Sequence, residues 1–379
     1  MTGVTAFQNV RLRQRDHFGD RRDLKSDGSG RRTPKMTITV QTGARLHFGL
    51  LAVQAASGRN FGGVGLMVQS PGCVLSVEAS ERDECHAEAA IAARLAVWRD
   101  EYRQLSPAEH RPPACCIRVA QAIPSHAGLG SGTQTALALA AALSRCGGEE
   151  NVSSLELARR VGRGARSALG IHGFEQGGLL VEGGKRQPDE ISPLVARLEF
   201  PYDWRVLLVM PNDRRGLFGD AERAAFTKLA PMPAALTETL CRIVLMELLP
   251  AVASEDFPAA AAALREFGQL NGSHFAPVQG GVFADPQMSQ LAHWLTEQDC
   301  VGIGQSSWGP TLWMLCQDEA DAIRCREQIM RHPTSRACTV HLTAAQNEGS
   351  IFGVRGVSAA LECMDCGEAT TSVARRSAS

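Results

Sequence analysis

The sequence predicts an α+β protein of two domains, and three observations carry the prediction. Its 379 residues are enough to bury two sizeable cores. Stretches rich in β-formers and stretches with helical apolar spacing recur on both sides of residue 200. The third observation is Gly128-Leu129-Gly130-Ser131-Gly132-Thr133, which runs directly into Ala136-Leu137-Ala138-Leu139-Ala140-Ala141-Ala142-Leu143. That Ala/Leu run is a strong helix former. Glycines let the backbone ahead of it turn tightly and leave its N–H groups uncovered. A glycine-rich loop feeding a helix N-terminus is an anion site, because orphan N–H groups and the positive dipole end point to one place. Ser131 and Thr133 add hydroxyl donors. The plain alternative is a helix start capped by Ser or Thr, with the glycines serving packing.

Residues 1–35 carry nine Lys/Arg against four Asp/Glu and few apolar positions. Such a composition is expected to stay a disordered basic extension, or else to precede a true start at Met36. Residues 36–200 form the expected first domain. Residues 37–42 alternate β-formers and read as a strand. They lead through Gly43-Ala44-Arg45-Leu46-His47-Phe48-Gly49-Leu50 to Asn60-Phe61-Gly62-Gly63-Val64-Gly65-Leu66, a glycine-rich turn into another strand. Pro71-Gly72 turns the chain into a strand over 73–77. Residues 84–104 read as a helix, with Ala89, Ala93, Ala96 and Val97 at helical spacing, and 115–119 as the strand that delivers the glycine loop. Gly147-Gly148 is a helix stop, 153–165 a further helix, and 170–181 a turn into a strand.

Residues 201–362 form the expected second domain, opening on a buried strand over 204–211. Helices are expected over 234–249, 258–270 (ending at Asn271-Gly272) and 286–298, where Met288, Leu291 and Leu295 share a face. A second glycine/serine loop, Gly302-Ile303-Gly304-Gln305-Ser306-Ser307-Trp308-Gly309-Pro310, precedes a strand over 311–316, a helix over 318–331 and a strand over 339–342. Residues 363–379 read as a disordered tail.

A net charge of −1 argues against a nucleic-acid or membrane-surface partner. No apolar run reaches the roughly 18–20 residues of a membrane span, and the first residues lack a signal-peptide core, so a cytoplasmic protein is expected. Twelve cysteines fall into no repeated pair spacing, which favours scattered reduced thiols over a zinc site.

With these residues in view, the chain resembles the GHMP kinase superfamily. The loop from Pro124 to Gly132 matches its Pro-x-x-x-Gly-Leu-Gly-Ser-[Ser/Gly] phosphate motif, and residues 302–315 sit where that family has a C-terminal glycine-rich motif. The resemblance implies a two-domain GHMP-kinase-like fold, a ribosomal-protein-like N-terminal domain joined to a ferredoxin-like C-terminal one. One branch is similar in more places: residues 44–50, residues 60–66 and Pro211-x5-Leu217-x-Gly219 look like β-ribofuranosylaminobenzene 5′-phosphate synthase. That branch joins 4-aminobenzoate to 5-phosphoribosyl diphosphate and releases CO₂ and diphosphate, in tetrahydromethanopterin biosynthesis. Many GHMP kinases carry a catalytic acid in a Ser-Gly-x-Asp segment, whereas the matching Ser167-Ala168-Leu169-Gly170-Ile171-His172-Gly173 has no carboxylate. A kinase without that acid would be impaired, while a diphosphate-releasing transferase needs no such base. An ATP-dependent small-molecule kinase and an inactive ligand-binding GHMP protein remain the alternatives.

Under the synthase resemblance, residues Gly128, Leu129, Gly130, Ser131, Gly132 and Thr133 hold the diphosphate with Mg²⁺, and Ser306 and Ser307 grip a second phosphate. Arg45 is the expected carboxylate or phosphate fork, since its planar guanidinium binds such groups bidentately. His47 lies two residues on and faces the same side if the strand continues. Asn60 is the candidate ribose contact, Arg214 and Arg215 the phosphate clamps, Asp213 and Asp220 the metal ligands. His172 and Glu175 stand in the kinase acid region and are candidates for facing the aromatic substrate. Each also has a plain structural reading: a surface arginine, a satisfied histidine, a polar turn, a helix cap. The resemblance further implies a homodimer with small-molecule substrates.

Overall fold

The computed structural model describes residues 36–55, 58–213, 216 and 219–356. The expected basic extension and tail, and with them Arg214, Arg215 and Leu217, lie outside the described residues.

The chain opens with β1 (Met36–Leu50) and β2 (Gly63–Ala79), two long antiparallel strands. Then come β3 (Glu84–His86), α1 (Ala89–Leu105), β4 (Cys115–Gln121), α2 (Ser131–Cys146), α3 (Ser154–Arg160), α4 (Leu169–Gln176), β5 (Leu179–Glu182) and β6 (Leu194–Leu198). α2 is built from alanines and leucines, and its residues from Gln134 to Ser144 are all buried. Small alanine side chains let its axis come close to β1 and β2, against which it packs.

The second half runs β7 (Arg205–Pro211), α5 (Gly219–Lys228), α6 (Ala234–Arg242), a π-helical turn over 243–248, α7 (Leu249–Ala253), α8 (Phe257–Gln279) and α9 (Pro286–Glu297). It ends with β8 (Ile303–Gln305), β9 (Leu312–Cys316), α10 (Glu319–Arg331), β10 (Cys338–Ala344) and β11 (Ile351–Gly356). Four strands form a second antiparallel sheet in the order β10-β7-β9-β8.

The larger sheet has the path β11-β1-β2-β4-β3, with β5 paired to β2 and β6 to β5. β2 serves both branches: its first residues pair with β5 and its last with β4. β11 crosses back to pair antiparallel with β1, Met36 opposite Gly356. The expected division at residue 200 therefore falls between the two sheets, but the last strand belongs to the first sheet. The described residues cluster as one compact unit. α8 packs on both β1 and β8 and so ties the two sheets together.

Several elements differ from expectation: residues 84–86 are a short strand ahead of the helix, and Pro71-Gly72 lies within the continuous β2. Residues 169–176 are helix rather than a turn into a strand, because their apolar residues Leu169, Ile171 and Phe174 are all buried against the sheet. The helix expected over 153–165 stops at Arg160, ahead of Gly162 and Gly164, both at positive φ. α8 continues through Asn271-Gly272 to Gln279. Gly272 is there for close approach, not for a stop: a Cβ would lie 2.5 Å from the Val282 carbonyl oxygen.

Candidate active site

Three loops meet above the start of α2. Gly130, at φ 71°, supplies the left-handed turn that precedes the helix, and Gly128 is likewise left-handed at φ 80°. Gly128 lies so close to the second glycine/serine loop that a Cβ would sit 2.4 Å from the Ser306 carbonyl oxygen. The Ser306 hydroxyl donates to the Gly128 carbonyl (2.7 Å) and accepts from the His47 N–H (3.1 Å), and the Thr311 hydroxyl donates to the Ala127 carbonyl (2.6 Å). The Arg45 N–H reaches the Leu129 carbonyl (3.0 Å), the Ser307 N–H the His47 carbonyl (2.9 Å), and the Gly216 N–H the His126 carbonyl (2.8 Å). Residues 178 and 184 positions away in sequence are thus fastened to the phosphate-loop motif.

A cleft opens beside this joint. Arg45, His47, Thr133, Arg163, Arg166, Ser167, Glu222 and Ser307 supply its polar wall. Phe61, Phe226, Phe275 and Trp308 supply an aromatic one. Trp308 meets Phe226 and Phe275 edge-on, with ring centroids 5.1 and 4.9 Å apart, so the wall is a single interlocked patch.

Particular guanidinium donors are left unpaired at the cleft wall. Arg45 lies along Gly130, whose Cβ position is 3.3 Å from the arginine Cβ and 3.5 Å from its Nε. Nε and Nη1 of Arg45, Nε of Arg163 and Nη1 of Arg166 are shut from solvent and have no hydrogen-bond partner among the described residues. Donors left that way cost about 1–3 kcal/mol each, so an anionic ligand that pairs them gains that much. Arg166 also bonds Glu222 (2.7 Å) and lies 5.5 Å from the Phe226 ring centre. Arg94, from α1, reaches over the first turn of α2, where a Cβ on Gly132 would meet its Nη2 at 2.6 Å. Arg94 and Arg163 both rest on Trp98, their guanidinium carbons 4.7 and 4.5 Å from its ring centre.

Burial sets the charges. It lowers Arg45 to about 10, against the pull of Glu182 and Glu222, and lowers Arg163 to about 10 with help from Arg94; both remain cations at neutral pH. Burial, then the Arg45 charge, pushes His47 down to about 3, so its imidazole is neutral. Glu182 is fully buried on β5, accepts the Ala168 N–H (2.6 Å), and is pushed up to about 7 by desolvation. Its field, together with that of Glu222, is what supports the charge on Arg45.

Arg45, His47, Thr133 and Ser307 line the cleft, and Gly128, Leu129, Gly130 and Gly132 form the joint beside it. Five other expectations need correction. Ser306 is buried with its hydroxyl engaged in both directions, so it rivets the two loops and has nothing left for a phosphate. Asn60 spends its side-chain oxygen on the Ala55 N–H (2.7 Å) and closes its own loop. His172 is buried in α4 with Nε2 on the Ser192 carbonyl (2.8 Å), and Glu175 accepts from the Ser154 N–H and hydroxyl in a different depression. Neither lines the cleft, because 169–176 coils into a helix that turns them away. Asp213 is exposed on the turn after β7, and the side chain of Asp220 lies outside the described residues. Glu222 is the carboxylate that lines the cleft among the described residues. The arginines at 94, 163 and 166, Glu182 and the aromatic wall were not anticipated. The run Gly162-Arg163-Gly164-Ala165-Arg166, two arginines among small residues after a helix, was the available signal.

Comparison with known proteins agrees with this geometry. Residues 92–178 match the model for the GHMP kinases N terminal domain. The chain is 31% identical over 325 residues to beta-ribofuranosylphenol 5′-phosphate synthase of Archaeoglobus fulgidus, covering 82% of this chain and 98% of that one. It is 29% identical to the enzyme of that name from Methanothermobacter thermautotrophicus, over 74% of this chain and 89% of that one. Among solved structures, homoserine kinase from Cytophaga hutchinsonii superposes with a TM-score of 0.57 at 14% identity, over 86% of this chain and 100% of that one. Mevalonate pyrophosphate decarboxylase from Streptococcus pyogenes superposes at 0.59 and 12% identity, over 83% and 98%. The distant structures establish the GHMP fold, and the closer sequences establish the branch: this chain belongs to the beta-ribofuranosylphenol 5′-phosphate synthase family of pentosyltransferases.

Proposed function

We propose that this enzyme joins C1 of 5-phosphoribosyl diphosphate to the carboxylate-bearing ring carbon of 4-aminobenzoate, releasing CO₂ and diphosphate, as a step toward tetrahydromethanopterin. The observation that carries the reading is a cleft with buried, unpaired arginine donors on one wall and interlocked aromatic rings on the other. One substrate is a polyanion and the other a flat aromatic acid.

In this reading the C1–O bond to diphosphate breaks as positive charge develops on the ribose ring. The start of α2, with Arg94 over it, receives the departing negative charge. Arg163 and Arg166 pair the 5′-phosphate. The aromatic acid lies on Phe226, Phe275 and Trp308, with its carboxylate toward Arg45. Its ring carbon attacks C1, the para amine supplies the electron pair, and loss of CO₂ returns the pair to the ring. Neutral His47 orients without adding charge. Positioning and fixed charge do the catalysis, so no acid or base among the described residues has to exchange a proton with substrate.

Mg²⁺ suits this donor set in a limited way. The ion takes one or two carboxylates plus substrate phosphates, and Glu222 offers a single carboxylate beside Arg166. Its chemistry would be to offset charge on the leaving diphosphate.

The relatives are named for a phenol product. A para hydroxyl can supply the same electron pair as a para amine, so the acid itself must be tested. Offering both 4-aminobenzoate and 4-hydroxybenzoate in equal amounts with 5-phosphoribosyl diphosphate, and weighing the product by mass spectrometry, decides it. An aminobenzene riboside 5′-phosphate as main product is expected; a phenol riboside as main product would overturn the amine assignment.

A further inference from the structure

The smaller core, between the second sheet and α9 and α10, contains a cluster of sulfur donors. Cys300, Cys316 and Cys325 are 2%, 0% and 2% exposed. They arrive from three segments: Cys300 from the link between α9 and β8, Cys316 from the end of β9, and Cys325 from α10. Asp321 stands one turn before Cys325 on the same face of α10. The donor atoms of Cys316, Asp321 and Cys325 all lie within 4.8 Å of one another. Cys300 Sγ lies 3.7 Å from Cys325 Sγ, and Cys325 Sγ lies 3.7 Å from Asp321 Oδ1.

These spacings have a chemical meaning. A tetrahedral zinc ion with zinc–sulfur bonds of about 2.3 Å separates its ligand sulfurs by about 3.8 Å. Thiolate donors with one carboxylate also select soft or borderline cations over Mg²⁺ or Ca²⁺. The environment can carry the charge: Arg324 donates to Asp321 Oδ1 (2.6 Å), the Gln317 N–H donates to Asp321 Oδ2 (3.1 Å), and Asp321 lies in the first turn of α10, where the helix dipole favours anions. Such outer partners hold a ligand in place. Asp321 is 22% exposed, which gives an ion a way in from the surface.

We propose that Cys316, Asp321 and Cys325, with Cys300 packed against Cys325, form a structural site for a soft divalent cation, zinc by its donor set, that clamps α10 to the second sheet. Metal entry displaces the thiol protons to solvent and makes the metal–sulfur bonds, with no change of oxidation state. The site lies in the second core and is independent of the cleft chemistry.

The test uses the full-length, reduced, metal-stripped enzyme and Co²⁺ as a probe. One equivalent is expected to give the intense thiolate-to-cobalt absorption of a tetrahedral site, and Zn²⁺ should abolish it by displacement. Zn²⁺ should also slow alkylation of Cys316 and Cys325, mapped by peptide mass, by about tenfold or more, since a bound thiolate is withdrawn from reaction. Cys338→Ser, a cysteine of the same half outside the cluster, should leave the cobalt band intact, and Cys325→Ser should remove it. Absence of the band in the unaltered protein, unchanged alkylation with Zn²⁺, or a band that survives Cys325→Ser would each overturn the proposal. The first two need no variant to fold.

Discussion

Arg45, Arg163 and Arg166 carry the weight of the functional reading, because each has a guanidinium nitrogen shut from water and unpaired among the described residues. Replacing any one by alanine is expected to lower turnover at least about tenfold, which corresponds to about 1.4 kcal/mol of transition-state stabilisation. Steady-state rates check it; wild-type rates for Arg45→Ala would show that its role is misplaced. Two buried groups near Arg45 set a pH signature. His47 has its folded pKa depressed to about 3, so the unfolded chain binds the extra proton, and its contribution to stability falls as pH drops below about 6.5. Glu182 has its folded pKa raised to about 7, so its contribution is complete below about 4.5 and fades as pH rises through 7. The two slopes oppose one another between about pH 4.5 and 6.5. Urea midpoints of His47→Gln should therefore decline from pH 5 to pH 7, and those of Glu182→Gln should climb; the reverse signs would refute the assigned protonation states.

Elements matter here through how closely they approach. The phosphate-loop motif was legible because glycine spacing and an Ala/Leu run advertise a turn and a helix. Its neighbours were not, because contacts such as Ser306 with Gly128 join residues far apart in sequence and depend on the crossover of the chain. His172 and Glu175 were misplaced for a local reason: glycines at 170 and 173 suggested a turn, but burial of Leu169, Ile171 and Phe174 makes the segment helical. Gly128 and Gly132 separate packing from binding. Gly128→Ala puts a methyl into the Ser306 backbone at a positive φ and is expected to destabilise the fold by about 2 kcal/mol or more. Gly132→Ala meets only the end of the Arg94 side chain. It should leave the unfolding midpoint nearly unchanged and raise KM for 5-phosphoribosyl diphosphate. Equal loss of stability in both variants would contradict this division.

At the scale of the whole molecule, the α+β class and most element types could be read from periodicity, and the family from the loop motifs. The return of β11 to the first sheet could not, since pairing six residues of 351–356 with 36–41 is a long-range event with no local signature. Removing residues 351–379 should cost about 3 kcal/mol or more, because β1 keeps β2 but loses the strand on its other edge, and the loss is readable as a lower denaturant midpoint. The cleft lies along β1, α2, α8 and the second glycine/serine loop, so the fold's crossover is what assembles it.

The central claim is that the cleft transfers a ribosyl phosphate to an aromatic acid at the expense of its carboxyl group. Carboxyl-labelled 4-aminobenzoate, incubated with the enzyme, 5-phosphoribosyl diphosphate and Mg²⁺, tests it most directly. The account predicts labelled CO₂ and diphosphate released in equal amounts, both lost in Arg163→Ala. Diphosphate release without CO₂, or no turnover here alongside ATP consumption with a small-molecule alcohol, would contradict it.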